Sequence, residues 1–309
     1  MDRRDVLKQT LTGAVTCLTG MTYASANFLK NSGSLNRPAT ETFAQQMAGP
    51  RVAGPRFYIG ACDWSIGKSS DVGAFAVAKQ IGLDGLQVNM GSAANNMHLR
   101  QKDVQEAYTA AAKRTGVQIG GLALGELNNV PYKSDPRAEE WVQDSVDVAK
   151  ALGVKTILLA FFSAGDLRND PQGTQVVIER LKAVAPKAEK AGVTLGIESW
   201  LSAPEHMAII DAVGSRAVKV YYDVCNSTDR GYDIFSEMRQ LGSKQICEIH
   251  LKENGALLGK GNVDMPKVRQ VLDEIGYSGW LHIEGAIPKG QPMLESYQEN
   301  NRYVRSIFA

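Results

Sequence analysis

Cysteine is scarce in this chain: Cys17, Cys62, Cys225 and Cys247 are the only four in 309 residues. They have neither the density nor the paired spacing of a disulfide framework or a thiolate zinc site, so they read as small buried thiols. An excess of one charge is lacking too. Lysine and arginine total 34 against 33 acidic residues, a net charge of +1. That leaves no broad field to draw in a nucleic-acid backbone or an anionic membrane. No stretch within the body of the chain reaches the roughly 18 apolar residues that a membrane span needs. Histidine is as rare as cysteine, with four residues. What is present, 44% hydrophobic and 22% charged residues, suits one large globular domain with an ample core.

The N-terminus does not read as part of that domain. Arg3-Arg4-Asp5-Val6-Leu7-Lys8 precedes a mildly apolar stretch from Thr10 to Tyr23, and Ala24-Ser25-Ala26 follows. This is the layout of an export signal cleaved after Ala26. The paired arginines resemble the twin-arginine type, which passes an already folded protein across the membrane. The expectation is a bacterial protein with a periplasmic or otherwise extracytoplasmic destination, touching the membrane only during export. An amphipathic N-terminal helix is the alternative. Cys17 does not read as a lipoprotein site, because Thr16 stands where a small residue is wanted. Residues 27–55, rich in Asn, Ser, Gly and Pro without an apolar period, read as a flexible linker to a domain over 56–309.

Within that domain, short apolar runs recur, each followed by a segment of helical period. The runs are Phe57–Cys62, Gly85–Asn89, Val117–Leu124, Lys155–Phe161, Thr194–Glu198, Val218–Asp223, Ile246–His250 and Trp280–Glu284. The helical segments carry their own start and stop signals. Asp135-Pro136 opens one that Gly153 closes. Asp264 and Pro266 open another, with Val268, Val271, Leu272 and Ile275 on one face. Met293, Tyr297, Val304 and Ile307 mark the eighth. Eight strands alternating with eight helices over this length predict a single-domain α/β fold, the (β/α)₈ TIM barrel. An open doubly wound sheet is the competing architecture, but no Gly-rich dinucleotide fingerprint opens the first helix.

In such barrels the site lies at the C-terminal ends of the strands. Strands five to eight end in Glu198, Asp223, His250 and Glu284, each after an apolar run. Three carboxylates crowded at one rim repel one another unless a cation neutralises them. Three oxygens and one imidazole suit a hard or borderline divalent ion, and we expect one, with Mn²⁺ ahead of Mg²⁺, Co²⁺ or Zn²⁺.

Around these residues stand Gly196-Ile197-Glu198, Tyr222-Asp223-Val224-Cys225-Asn226 and Ile249-His250-Leu251-Lys252-Glu253. Gly259-Lys260-Gly261-Asn262-Val263-Asp264 then leads to Gly276-Tyr277-Ser278-Gly279-Trp280 and Ile283-Glu284. Together they resemble the xylose isomerase-like barrel superfamily of sugar isomerases, ketose 3-epimerases and inosose dehydratases. The resemblance spans the barrel. It implies Glu198, Asp223, His250 and Glu284 as ligands of the ion, with Glu198 and Glu284 also serving as acid and base on opposite faces of a sugar. Asn226 stands where those epimerases often carry a histidine, which bears on the hydroxyl pattern of the substrate.

Further residues are candidates for substrate contact. Lys252 follows the His250 position and is suited to donate to a hydroxyl or enolate oxygen. Lys260, between two glycines, could close over a sugar. Asp63 and Trp64 end strand one, and Trp200 lies two residues past Glu198. The indoles suit stacking on a sugar ring. His98, after strand two, is placed to reach the mouth, whereas His206 reads as a surface residue at a helix start. Glu248 and His282 fall one layer beneath His250 and Glu284, and read as a buried pair.

The expected function is proton transfer next to the carbonyl of an unphosphorylated sugar or keto-sugar, by epimerisation or isomerisation. Export and the lack of a Gly-rich phosphate cradle argue against a sugar phosphate, and only Lys260 argues the other way. A lyase or hydrolase eliminating from a 3-keto-glycoside would share the first step. Apurinic-site endonucleases resemble the same motifs, but their trinuclear zinc site is rich in histidine. A non-catalytic sugar-binding protein is the remaining class. The partner expected is a small sugar and not nucleic acid, and homo-oligomerisation is left open.

Overall fold

The computed structural model describes residues 55–309. The export signal, nearly all of the linker and Cys17 lie outside the described residues. The strands are β1 (Phe57–Cys62), β2 (Gly85–Asn89), β3 (Gln118–Leu124), β4 (Thr156–Phe161), β5 (Thr194–Ser199), β6 (Val218–Asp223), β7 (Ile246–Glu253) and β8 (Gly279–Gly285). Between them run α1 (Ala74–Ile81), α2 (Lys102–Thr115), α3 (Pro136–Leu152), α4 (Pro171–Ala191) and α5 (Ala203–Val213). After β6 come α6 (Val224–Asp229) and α7 (Ile234–Gln245), then α8 (Met265–Glu274) and α9 (Met293–Phe308). All neighbouring strands are parallel, and β8 pairs with β1 from Phe57 opposite Gly279 to Ala61 opposite Ile283, which closes the barrel. The expected TIM barrel is the observed one.

Local chemistry explains the boundaries. The Asp135 side chain accepts from the Arg137 N–H with Pro136 in the first turn, and Asp264 does the same for Lys267 with Pro266. Gly153 ends α3 at φ 73°, a left-handed cap that glycine adopts without steric cost. The period-2 alternation of the strands sorts their side chains into two cores. Ile157, Leu159 and Phe161 of β4 join the large shell between sheet and helices. Leu158 and Ala160 instead pack inside the barrel with Ala123 and Tyr221. Full burial of an Ile or Leu contributes roughly 1.5–3 kcal/mol, so the outer shell supplies most of the stability.

Two departures from the expected layout shape the site. Strand β7 continues past His250 to Glu253, and the short helix α6 follows β6 directly. Neither is legible as hydrophobic period, because one is a three-residue extension and the other is a six-residue helix held by a cap. Among the described residues, no helix is long and apolar enough to cross a membrane.

Candidate active site

Four side chains from the ends of β5 to β8 meet at one point. One ligand atom each from Glu198, Asp223, His250 and Glu284 lies within 4.8 Å of the other three. The strands deliver them by register: Asp223 is the Cα partner of His250, and Lys252 is the partner of Glu284. His250 Nδ1 is 2.8 Å from Glu198 Oε1, 3.5 Å from Glu284 Oε2 and 3.9 Å from Asp223 Oδ2. Asp223 divides its oxygens. Oδ1 accepts from the Cys225 and Asn226 N–H groups at 2.8 Å, capping α6, whereas Oδ2 is buried with no hydrogen-bond partner. Lys252 Nζ stands 3.6 Å away, beyond hydrogen-bond reach, and keeping such a buried oxygen anionic is costly unless a cation comes closer.

The electrostatics point the same way. Two carboxylates 4.8 Å apart repel by roughly 3.5 kcal/mol at an effective dielectric of 20, and three such groups crowd here. Burial, reinforced by Glu198 and Glu284, pushes Asp223 up to about 7 despite the opposing pull of Lys252. Burial also tends to raise Glu284, but His250, Lys252 and a hydrogen bond from Trp64 outweigh it and bring the group to about 2. Burial alone would depress His250. Cys62 and the carboxylates Glu198 and Glu284 reverse the sign and hold it well above its ordinary value. Lys252 is raised as well, its neighbouring carboxylates outweighing its burial. Charge therefore balances in two ways. Lys252 and a divalent ion offset three carboxylates around a neutral imidazole, or two protons, on His250 and Asp223, stand in for the ion. The donor set, the orphaned oxygen and the balance all fit a hard divalent cation.

Above the cluster lies a cavity of about 600 Å³. Glu198, Glu284, Lys252, Trp64, Trp200 and Asn226 line it, all of them expected from the sequence. Trp64 Nε1 donates to Glu284 Oε1 at 2.8 Å and Lys252 Nζ donates to Oε2 at 2.9 Å, so both oxygens of Glu284 are held. Trp200 packs edge-on against Phe162 at 5.2 Å between ring centres.

Other expected residues lie elsewhere. Asp63 is wholly buried and does not line the cavity; its Oδ2 accepts from the backbone N–H of Asn89 at 2.9 Å and of Ser70 at 3.3 Å, tying the loop after β1 to the end of β2. Lys260 is exposed and also outside the lining. The reason is the extension of β7: Glu253 accepts from the Asn262 and Val263 N–H groups at 3.1 and 3.0 Å and pins the Lys260 loop there. His98 does not line the cavity; its ring packs edge-on against Tyr108 at 5.6 Å, while its backbone N–H donates to Asn95 Oδ1 at 3.3 Å. His206 is not a surface residue. It is 4% exposed, with Nε2 2.9 Å from Ser199 Oγ and Nδ1 3.1 Å from the Ser202 carbonyl, and burial lowers it to about 4. The neutral ring thereby fastens α5 to the end of β5. Glu248 and His282 do form a buried pair, 3.4 Å apart. His250 is thus the one histidine of four that faces the carboxylates, which does not fit a histidine-rich trinuclear site.

Sequence reasoning missed the opposite wall, where Asn89 at the end of β2 and Asn95, Glu126, Asn128 and Asn129 from the loops after β2 and β3 line the cavity. Irregular polar loops give no periodic signal. It also missed Gln87, a fully buried amide between Leu86 and Val88 whose Oε1 lies 2.8 Å from His250 Nε2. Here a signal existed, since a polar residue in mid-strand flanked by apolar ones must face inward.

A family model described as the xylose isomerase-like TIM barrel matches residues 75–307. The chain belongs to this family. The chain is similar to a 2-epi-5-epi-valiolone 7-phosphate 2-epimerase from an Actinoplanes species, 26% identical over 213 residues, 66% of this chain and 77% of that one. A D-psicose 3-epimerase from Enterocloster bolteae is 25% identical over 134 residues, 40% of this chain and 44% of its own. Among solved structures, D-psicose 3-epimerase from Clostridium cellulolyticum superposes with a TM-score of 0.70 at 19% identity, covering 81% of this chain and 99% of that one. A 3-keto-D-glucoside 4-epimerase from E. coli does so with a TM-score of 0.67 at 15% identity, again over 81% and 99%. Like these relatives, the protein is an enzyme of the isomerase and epimerase kind.

Proposed function

We propose that this enzyme moves a proton next to the carbonyl of an unphosphorylated sugar or keto-sugar, using a divalent ion held by Glu198, Asp223, His250 and Glu284. The observation that carries the reading is the meeting of those four ligand atoms within 4.8 Å at the base of a polar cavity. An ion bound there would polarise a carbonyl and lower the cost of the developing enediolate charge. Glu198 and Glu284, arriving from β5 and β8, serve as base and acid. Each such proton transfer contributes roughly 10²–10⁴-fold. Lys252, fixed against Glu284, donates to the oxygen on which charge develops. Mn²⁺ is the ion we favour.

The lack of a phosphate on the substrate is supported by the lining, in which Glu126, Glu198 and Glu284 outnumber the single cation Lys252, itself ion-paired. A lyase acting on a 3-keto-glycoside is the second reading. A cavity of about 600 Å³ supports it. At about 30 Å³ per water it has room for some twenty non-hydrogen groups, more than the dozen heavy atoms of a hexose. The test is deuterium uptake in D₂O at the carbon beside the carbonyl of ketoses and 3-keto-glycosides, with product stereochemistry read by NMR. Glu198→Gln and Glu284→Gln should each lower turnover at least 100-fold. No uptake by any sugar that binds would remove the proton-transfer reading.

Export is proposed on the Arg3-Arg4 signal alone. Changing both arginines to lysine should leave the precursor in the cytoplasm, and normal export of that variant would refute it.

A further inference from the structure

His250 stands between two sets of donors. Its Nδ1 faces the oxygens of Glu198, Glu284 and Asp223 at 2.8, 3.5 and 3.9 Å. Its Nε2 faces Gln87 Oε1 at 2.8 Å and Cys62 Sγ at 3.3 Å. Cys62, His250 and Glu284 also bring ligand atoms within 4.8 Å of one another, so the same imidazole is shared by an oxygen-rich set and a sulfur-containing one. A neutral imidazole has one N–H and one lone pair, and only the lone pair binds a metal ion. Which set operates is therefore a question of which nitrogen carries the hydrogen.

Gln87 answers it. An amide oxygen can only accept, so against Gln87 Oε1 the Nε2 atom carries the hydrogen and the lone pair lies on Nδ1, toward the carboxylates. The Cys62 thiol donates to the same amide oxygen at 3.3 Å. Two groups meet Gln87 Oε1, while its buried Nε2 makes no hydrogen bond, so the orientation of the amide rests on packing and on the charges around it. Gln87 is the Cα partner of Cys62 across β1 and β2 and is completely buried. Its Nε2 end lies over Gly121, on the side of the Glu248 carboxylate: a Cβ built on Gly121 would stand 3.7 Å from Gln87 Nε2 and 3.0 Å from Glu248 Oε2. Nitrogen toward the carboxylate and oxygen toward the imidazole is the electrostatically favoured orientation of the amide.

We propose that Gln87 is a positioning residue that sets the metal preference of this site, by locking His250 into the tautomer that serves the oxygen set and withholding it from Cys62. The inference rests on the metal-dependent reading above. Outer partners of this kind typically change metal affinity 10–100-fold when removed.

The experiment measures Mn²⁺ affinity of the purified protein by competition with a chelator, and the absorption of the Co²⁺ form. Gln87→Leu should bind Mn²⁺ 10–100-fold more weakly, whereas Gln87→Glu, which keeps an acceptor oxygen, should stay within a few-fold of wild type. Cobalt-loaded Gln87→Leu should gain a sulfur-to-cobalt charge-transfer band that vanishes when Cys62→Ser is added. Cys62→Ala alone should leave Mn²⁺ affinity unchanged, and it keeps the idea testable should Gln87→Leu not fold. Wild-type affinity in Gln87→Leu, equal losses in Leu and Glu variants, or a loss in Cys62→Ala would each overturn the proposal. A wild-type protein that binds no Mn²⁺ would overturn the metal reading itself, a different result from equal binding by all variants.

Discussion

The two halves of the barrel mouth are made differently. On the β5 to β8 side the functional groups end the strands themselves, and the closed sheet fixes their spacing: Asp223 beside His250, Lys252 beside Glu284. On the β2 and β3 side they sit on loops, and much of their hydrogen-bonding capacity goes into holding those loops. Asn128 Oδ1 accepts from the Phe162 N–H at 2.9 Å, and Glu126 Oε1 accepts from the Ala93 N–H at 3.1 Å. Rigid strand ends suit groups that must act together on one bond. Loop amides suit recognition, where each contact adds a modest, separable share.

If that division holds, the β5 to β8 half should behave as one coupled unit, and its response to metal and pH gives the largest effect. In the metal-free protein Asp223, raised to about 7, keeps a proton that an unfolded aspartate sheds near about 4. It therefore costs stability as pH rises through that window, and the cost is complete above it. Glu284, lowered to about 2, acts oppositely: it contributes stability above its unfolded value, lost as pH falls toward 2. His250, raised, contributes below its unfolded value and ceases to contribute as pH rises through its folded one. An ion in this seat would displace the protons on His250 and Asp223. At pH 6, Mn²⁺ binding should release about two protons per ion, measured by calorimetry in buffers of different ionisation enthalpy. The gain in Tm on adding Mn²⁺ should be larger at pH 8 than at pH 6. Release of no protons would show that the ion, if bound, sits elsewhere.

The same division explains what the sequence made legible. Glu198, Asp223, His250 and Glu284 could be read because each follows a short apolar run, and the barrel places the ends of such runs at the mouth by rule. Asn226, Lys252 and Trp200 followed because they lie within a few residues of those ends, and Trp64 because it follows the end of β1. The reading failed where position depends on tertiary hydrogen bonds. Lys260 looked like a lid because glycines flank it, but the Glu253 carboxylate holds its loop by two backbone N–H groups. Asp63 looked like a rim residue, yet two backbone donors draw its carboxyl inward, where burial raises it to about 7. His206 looked exposed at a helix start, and only the fold shows Ser199 Oγ waiting beneath it. Asn89 carried the same signal, a polar residue ending an apolar run, and went unread; Asn95, Glu126, Asn128 and Asn129 left no pattern at all, since loop polarity is the default in any sequence.

The smallest expected effect tests the loop half. Asn128→Asp keeps the Oδ1 acceptor that holds the Phe162 N–H, and so should spare the β4 rim, but it replaces an amide donor facing the cavity with an anionic oxygen. One hydrogen bond to a sugar hydroxyl contributes about 0.5–1.5 kcal/mol, which corresponds to roughly 2- to 12-fold in binding. If Asn128 serves recognition alone, that loss falls on ground state and transition state alike, so KM rises by about this factor while kcat changes less than about 2-fold. Mn²⁺ affinity and the deuterium exchange rate at saturating sugar should be unaltered, because Asn128 touches none of the four ligands. Steady-state kinetics on the best substrate from the D₂O survey settles it. A fall in kcat approaching that of Glu198→Gln would mean that the loop wall takes part in the chemistry, and the two halves of the mouth would then have to be treated as one machine.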